Sequence, residues 1–344
     1  MQASIQKIID IKPIENADSI EKAYVLGWQV VVKKGEFKPG DSCVFITIDS
    51  ILPPKPEFEF LAKNKYRVRT IKLRGELSQG IIFPLSILPT GAIYETARGI
   101  LIPQTIPYKE GGDVSEILGV THYEKPVPGG FNQGDTKGNF PPWFPKTDEE
   151  RIQNVPEVLD ELRGKSYVIT EKCDGTSCSI YLNRGEFGVC SRNMEKKDSE
   201  GSVYWQMAKK YDLENKLRNL GRNLAIQGEL CGPGIQKNRL GLKEPDLFVF
   251  NIFDIDDGKY LSWPMQQQLV VSLGLNKVPV VQFGEGFSFT LEELLEKAKG
   301  KYTGTQNDRE GIVVRAMYGD FSAKMRSRIS FKVLNNDFLL KEKE

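Results

Sequence analysis

The front third of the chain alternates apolar and polar residues over short stretches, each cut off within a few positions by turn-forming residues. That is the pattern of short, half-buried strands such as build small β-barrels. Trp28-Gln29-Val30-Val31-Val32 predicts one strand, and the turn after it opens at Lys34-Gly35 and closes at Lys38-Pro39-Gly40-Asp41. Cys43-Val44-Phe45-Ile46-Thr47-Ile48 predicts a second strand, almost wholly apolar and therefore buried. From Tyr66 to Arg74, Arg67 and Arg69 alternate with Val68 and Ile71 at roughly strand period, so one face is expected to be basic and the other buried.

Residues 126 to 145 break the pattern. Pro126, Pro128, Gly129, Gly130, Gly134, Gly138, Pro141, Pro142 and Pro145 suit no regular element, which predicts a linker between a front domain (1–125) and a back domain (146–344). Just beyond it, Thr147 and Glu150 have capping-box spacing and predict a helix running through Arg151 and Ile152. Strands are then expected at Val168-Ile169-Thr170, Cys178 to Leu182, Leu247 to Phe253 and Gly311 to Arg315. Helical spacing covers Val203 to Arg222 and Leu291 to Lys299. Because strands and helices do not alternate in a βαβ rhythm, the expected class is α+β with antiparallel sheets.

Composition narrows the chemistry. The 344 residues are 40% apolar and 27% charged, an ordinary globular balance. Lys plus Arg (47) nearly cancels Asp plus Glu (46), so any basic surface must come from local segregation of charge. The Tyr66–Arg74 stretch is such a segregation, readable as a solvated strand face or as a nucleic-acid-facing strand of an oligonucleotide-binding (OB) barrel. Five cysteines without a C-x-x-C pair disfavour zinc sites and disulfides, and suit a reducing, intracellular setting, the cytoplasm foremost. Neither a leader segment nor an apolar run of about 18 residues is found, so no membrane partner is expected. A single histidine, His122, excludes multi-His metal sites and disfavours a Ser-His-Asp triad. An enzyme built from this chain must work with Lys, Arg, Asp and Glu.

The segment Thr170-Glu171-Lys172-Cys173-Asp174-Gly175-Thr176-Ser177 sets a lysine at a strand end, followed at once by an aspartate and a turn glycine. Lysine is seldom buried among β-rich segments without a reason, although Lys-x-Asp-Gly alone is a common accident. Its company is more specific: Ser191-Arg192-Asn193, Gly228-Glu229-Leu230-Cys231-Gly232, Leu247 to Asn251, Arg309 to Arg315 and Ser330-Phe331-Lys332-Val333 follow in order. Together these blocks resemble the motif series of the covalent nucleotidyltransferases, the polynucleotide ligases and RNA-capping enzymes, over residues 146 to 335.

The resemblance implies an antiparallel, ATP-grasp-like catalytic domain in which Lys172 attacks the α-phosphate of ATP and forms a lysyl-AMP phosphoramidate. An amine serves once deprotonated, and a free lysine has a pKa of about 10.4, so its surroundings must favour the neutral form. Carboxylates supply what phosphoryl transfer demands, a hold on Mg²⁺ or Mn²⁺. The resemblance assigns Asp174 and Glu310 to the metal through its waters, and Glu229 to metal and ribose. It sets Arg192 on the nucleotide or acceptor phosphate and Lys332 on the α-phosphate. Phe250 would stack on adenine opposite Val313 or Val314, with a plain core role equally open. Lys146 and Arg151 would approach the nucleotide from upstream, while Thr170 and Glu171 would line the adenine site, Glu171 through its backbone with its side chain toward solvent. Two departures stand out. Lys332-Val333-Leu334 lacks a second lysine, for which Lys324, Arg326 or Arg328 could substitute, and Phe250-Asn251 replaces a usual Phe-Asp.

Domain order refines the resemblance. Only twelve residues follow Lys332, and the barrel-like segment stands in front rather than behind. That order, with Phe144-Pro145-Lys146-Thr147-Asp148-Glu149 before the lysine block, resembles the Deinococcus/Naegleria type of ATP-dependent RNA ligase. The implied partner is nicked duplex RNA or an RNA/DNA hybrid, sealed by a monomer, with Arg67, Arg69, Lys72 and Arg74 clamping the duplex backbone. A DNA ligase, a capping guanylyltransferase and a non-catalytic RNA-binding protein on a ligase scaffold are the rival readings.

Overall fold

Period-two alternation puts Trp28, Val30 and Val32 on one face of a strand, and burying that face organises the front of the chain. The computed structural model describes residues 1–89, 93–97, 100–104, 109–123 and 135–342. It separates the chain into two units, Met1–Pro126 and Val127–Glu344. In the first unit, β1 (Ala3–Lys7), β2 (Asp10–Pro13), β3 (Ile20–Val25), β4 (Trp28–Lys33), β5 (Ser42–Ile46), β6 (Thr70–Leu73), β7 (Glu76–Gln79) and β8 (Ile81–Pro84) pair antiparallel. They form the sheets β1-β5-β8, β2-β3-β4 and β6-β7, so among the described residues the barrel is made of short separate sheets rather than one closed sheet. Trp28, Val30, Val44, Phe45 and Ile46 fill its core.

The basic strand is shorter than its alternation predicts. Val68 is buried, but its backbone bonds to Asp49 and Ser50, and the β6-β7 hairpin starts only at Thr70. Ile71 and Leu73 are 40% and 39% exposed, so the apolar positions of this two-stranded ribbon are not buried as the alternation predicts.

The second unit carries β9 (Tyr167–Lys172), β10 (Thr176–Asn183), β11 (Glu186–Cys190), β12 (Leu224–Cys231), β13 (Asp246–Asp254), β14 (Val280–Gly284), β15 (Gly311–Ala316) and β16 (Ser330–Leu334). Its helices are α1 (Val203–Lys210), α2 (Leu213–Leu220), α3 (Trp263–Ser272), α4 (Leu291–Ala298) and α5 (Asn336–Lys341). An eight-stranded sheet is centred on β11-β10-β12-β13, and a five-stranded one runs β16-β15-β9-β14 with Glu150–Arg151 on its edge. Leu213, Leu217 and Val270 press on Ile180, Ile226 and Val249 of the large sheet. Leu294 and Ala298 cover Ile169, Ile312 and Val333 of the small one. The mixed, mainly antiparallel architecture is the expected α+β.

Three local expectations are corrected. The capping box at Thr147 starts no helix: the Thr147 hydroxyl bonds the Ser177 hydroxyl at 2.6 Å, and Glu150–Arg151 pairs parallel with Phe331 and Lys332. A single 3₁₀ turn forms at Ile152–Asn154, and α-helix waits until Val158–Leu162, after Pro156, which disfavours helical backbone at the residue before it. Val203 to Arg222 is two helices, broken at Asp212 with φ 49°. Of the expected linker, residues 126–134 lie outside the described residues, whereas Thr136–Asn139 is a strand paired with Met194–Lys196. Among the described residues no helix is long and apolar enough to cross a membrane. All five cysteines are buried free thiols.

Candidate active site

Lys172 ends β9 in the small sheet, and Cys173-Asp174-Gly175 carries the chain straight into β10 of the large one. The nucleophile candidate therefore stands where the two sheets meet. Its amine donates to Glu310 Oε2 at 2.8 Å. The Tyr302 hydroxyl donates to the Lys172 carbonyl (2.9 Å) and accepts from the Glu310 amide (3.0 Å), tying the two residues through their backbones. Glu229 lies on β12 opposite Ser177 and accepts from the Gly175 N–H. A Cβ at Gly175 would press on Glu229 Cγ at 2.8 Å and Cys231 Sγ at 2.7 Å, so this turn admits only glycine without a shift.

Burial works against the Lys172 ammonium, but Glu310, Glu229 and Asp174 outweigh it and hold the group above the ordinary lysine range. Glu229 is pushed up to about 8 by burial, with Lys172 opposing and Glu310 and Asp174 reinforcing the rise. Lys332 is pushed down to about 8 by burial and by the cations Arg151 and Lys172. Three carboxylates and two lysines thus share one electrostatic site.

Register explains several further placements. Thr170, Val313, Lys332 and Arg151 are successive cross-strand partners, forming one row on one face of the small sheet. Val314 lies on the other face, in the core. Glu171 also faces away from that row, and its side chain is not in solvent as expected: it is 5% exposed, accepts from the Thr303 hydroxyl at 3.1 Å and lies 3.8 Å from Arg309. A bulge between Gln227 and Gly228 offsets β13, so that Phe248 is opposite Glu229 while Phe250 has no register partner. Both rings are partly buried and pack on the cluster of Cys173, Cys231 and Val278.

Upstream, Lys146 donates to Asn193 at 2.9 Å and Arg192 pairs with Asp148 at 2.6 Å, both exposed. Arg328 donates to Asn251 at 2.7 Å, stacks over Tyr260 and lies 3.6 Å from Glu149. The Asn251 and Arg328 departures therefore meet each other, while Lys324 and Arg326 are exposed. In the front unit, Arg67 is drawn into an ion pair with Asp49 (2.8 Å) and stacks on Tyr123; Arg69 is half-buried, and Lys72 and Arg74 are exposed. Tyr302 and Arg239 lie outside the motif blocks, and Arg315, the last residue of one of them, is given no role by the resemblance. Arg315 donates to Thr170 (3.3 Å) and Glu149 (3.1 Å), and Arg239 to Asp174 (2.8 Å). No spacing signal marks Tyr302 or Arg239, because each stands outside the ordered blocks.

Among the described residues, no three His, Cys, Asp or Glu converge as direct metal ligands. The donor set nonetheless suits a hydrated divalent ion. Crowding of Glu310 and Asp174 helps push Glu229 upward, and a divalent cation would relieve that crowding.

The RNA ligase family pattern matches residues 165–334, and an OB-fold domain pattern matches residues 2–85. Naegleria gruberi RNA ligase is 34% identical, in a structure with ATP and Mn covering 98% of each chain at a TM-score of 0.88. Another, with PPi, covers 98% of this chain and 97% of that one at 0.87. Among curated proteins, the α subunit of the Neurospora crassa mRNA-capping enzyme is 28% identical over 32% of this chain and 28% of its own length. The Early 65 kDa protein of Autographa californica nuclear polyhedrosis virus is 25% identical over 55% and 36%. The chain thus spans about a third of the length of the curated relatives it matches. With an end-to-end match at 34% identity and the family pattern lying over Lys172, Glu229, Glu310 and Lys332, the chain belongs to the RNA ligase family.

Proposed function

We propose that this RNA ligase uses ATP to seal 3′-OH/5′-phosphate nicks in duplexes whose 3′-OH strand is RNA, acting as a monomer through a covalent lysyl-AMP. The observation that carries the reading is the Lys172 amine 2.8 Å from Glu310, enclosed by Glu229 and Asp174 at the junction of two sheets. The Naegleria relative's structures with ATP and Mn support the choice of nucleotide and of a divalent ion.

In the first step the neutral Lys172 amine attacks the α-phosphorus, a P–N bond forms, and pyrophosphate leaves with the bonding pair. AMP then passes to the 5′-phosphate of the nick, restoring Lys172 and making a 5′–5′ pyrophosphate. The 3′-OH attacks that activated phosphate and expels AMP. Mg²⁺ or Mn²⁺, held through its waters by Asp174, Glu229 and Glu310, would neutralise charge on the transferring phosphates. Lys332 and Arg192 bring cations to the phosphates, with Arg151 and Lys146 beside them. Phe250 and Val313 flank adenine, Thr170 and Glu171 line its pocket, and Glu229 reads the ribose. Each step is an in-line displacement, so positioning carries much of the rate. The front unit, from Met1 to about residue 125, grips the duplex with Lys72 and Arg74, backed by Arg69, whereas Arg67, expected beside them, is committed to Asp49 and Tyr123. Five reduced, buried cysteines suit work inside the cell.

Incubation with α-labelled ATP and Mg²⁺ or Mn²⁺ tests the reading. Acid-labile label should appear on the wild type and not on Lys172→Ala, and a nick with ribonucleotides at the 3′-OH end should be sealed faster than an all-DNA nick. An unlabelled wild type, after pyrophosphate treatment to strip bound AMP, would sink the lysyl-AMP mechanism.

A further inference from the structure

A guanidinium outside the motif series lies on the Asp174 carboxylate. Arg239 Nη1 donates to Asp174 Oδ2 at 2.8 Å, and the two side chains are only 14% and 8% exposed. Arg239 is itself held from several sides. Its guanidinium lies over the Phe338 ring of α5, 4.1 Å from the centroid, and Glu342 is 3.7 Å from Nη1. Asn307 Nδ2 donates to its carbonyl at 2.8 Å. The loop is fixed too: Asn238 sits at φ 45°, its side chain donating to the Leu242 carbonyl (2.9 Å) and accepting from the Leu242 amide (3.1 Å). Leu240 and Leu242 pack on Cys173 and Cys231, the neighbours of the reactive segment.

An ion pair that only offset the burial of Asp174 would not need this support. A planar fork gripped by an aromatic face and an anchored loop can fix the rotation of the carboxylate it binds, which a flexible ammonium cannot. We propose that Arg239 is the positioning residue for Asp174, and that α5, through Phe338, is part of the active-site framework. The inference rests on the reading that Asp174 serves formation of lysyl-AMP. Arg239 acts through Asp174 and touches neither nucleotide nor RNA.

Single-turnover labelling of Lys172, at saturating Mn²⁺ and varied ATP, compares wild type, R239K, R239A, D174A and the D174A/R239A double variant. R239A should lower the maximal rate about tenfold, the scale of a lost partner behind a metal-site group, and leave half-saturating ATP within about twofold. R239K should recover part of the rate, and the double variant should be no slower than D174A, because the two act as one unit. Urea unfolding of the same proteins gives a readout apart from activity: the double variant should lose less stability than the two single losses summed. A wild-type rate in R239A, or losses that multiply in the double variant, would overturn the proposal while leaving the role of Asp174 intact. A wild-type rate in D174A would instead overturn that role. Should R239A fail to fold, R239K and F338L carry the comparison, and wild-type rates in both overturn the proposal.

Discussion

Under the proposed mechanism, Lys172 is held in the wrong protonation state for attack. Three carboxylates outweigh its burial and keep the proton on, so wild-type adenylylation should rise with pH between about 6.5 and 9, read as single-turnover rates. A flat profile would mean that deprotonation does not limit the step. Glu229 titrates with the opposite consequence. Its folded pKa of about 8 lies above the ordinary 4.5, so the folded state binds the extra proton between those values and loses stability as pH rises through them. Glu229→Gln should flatten that decline, measured by urea unfolding at both ends of the window. Lys332, lowered from 10.5 to about 8, contributes a rise in stability from pH 8 to 10.5 by the same linkage.

At the scale of elements, α4 is clamped to the site by the residue before Glu310. Arg309 Nε donates to the Ala298 carbonyl (3.2 Å), and its Nη2 to those of Lys299 (2.8 Å) and Lys297, satisfying the open C-terminal end of the helix. Arg309→Met should cost about 2–4 kcal/mol in urea unfolding, since three carbonyls and the buried Glu171 carboxylate lose their partner. At the helix's other end Thr290 and Glu293 form the reciprocal capping box. Thr290→Ala should cost about 1 kcal/mol and leave lysine labelling unchanged. The contrast separates the helix's stability from the site's chemistry. Glu150 shows why the same spacing failed upstream: its backbone is claimed by β16, and a ladder pairing outweighs a cap that offers about one kcal/mol.

For the molecule as a whole, the near-neutral balance of 47 basic and 46 acidic residues leaves RNA affinity to local patches. Lys72 and Arg74 are exposed, whereas Arg67 is committed to Asp49 and Tyr123. Reversing Lys72 and Arg74 to Glu should weaken nick binding and reduce its salt slope by about 2, measured by titrations at several salt concentrations. Reversing Arg67 should chiefly lower the melting temperature. Unchanged affinity in the first variant would remove β6-β7 from the RNA interface.

Covalent order and local pattern determined much of this protein without reference to its folded form. The strands at Trp28, Cys178, Leu247 and Gly311 follow from apolar density and period two, and the helix starting at Leu291 from its helical spacing. The acid and lysine types of the site follow from ordered motif blocks. Register, partnership and burial were decided only by tertiary structure. Thr170, Val313, Lys332 and Arg151 share a row because four strands from separate parts of the sequence align. Glu171 turned inward because Thr303 and Arg309 wait there. Arg239 reached Asp174 from 65 residues away. Pattern reports each residue's own preference, whereas the energy of a buried charge depends on what else is brought within a few ångströms of it.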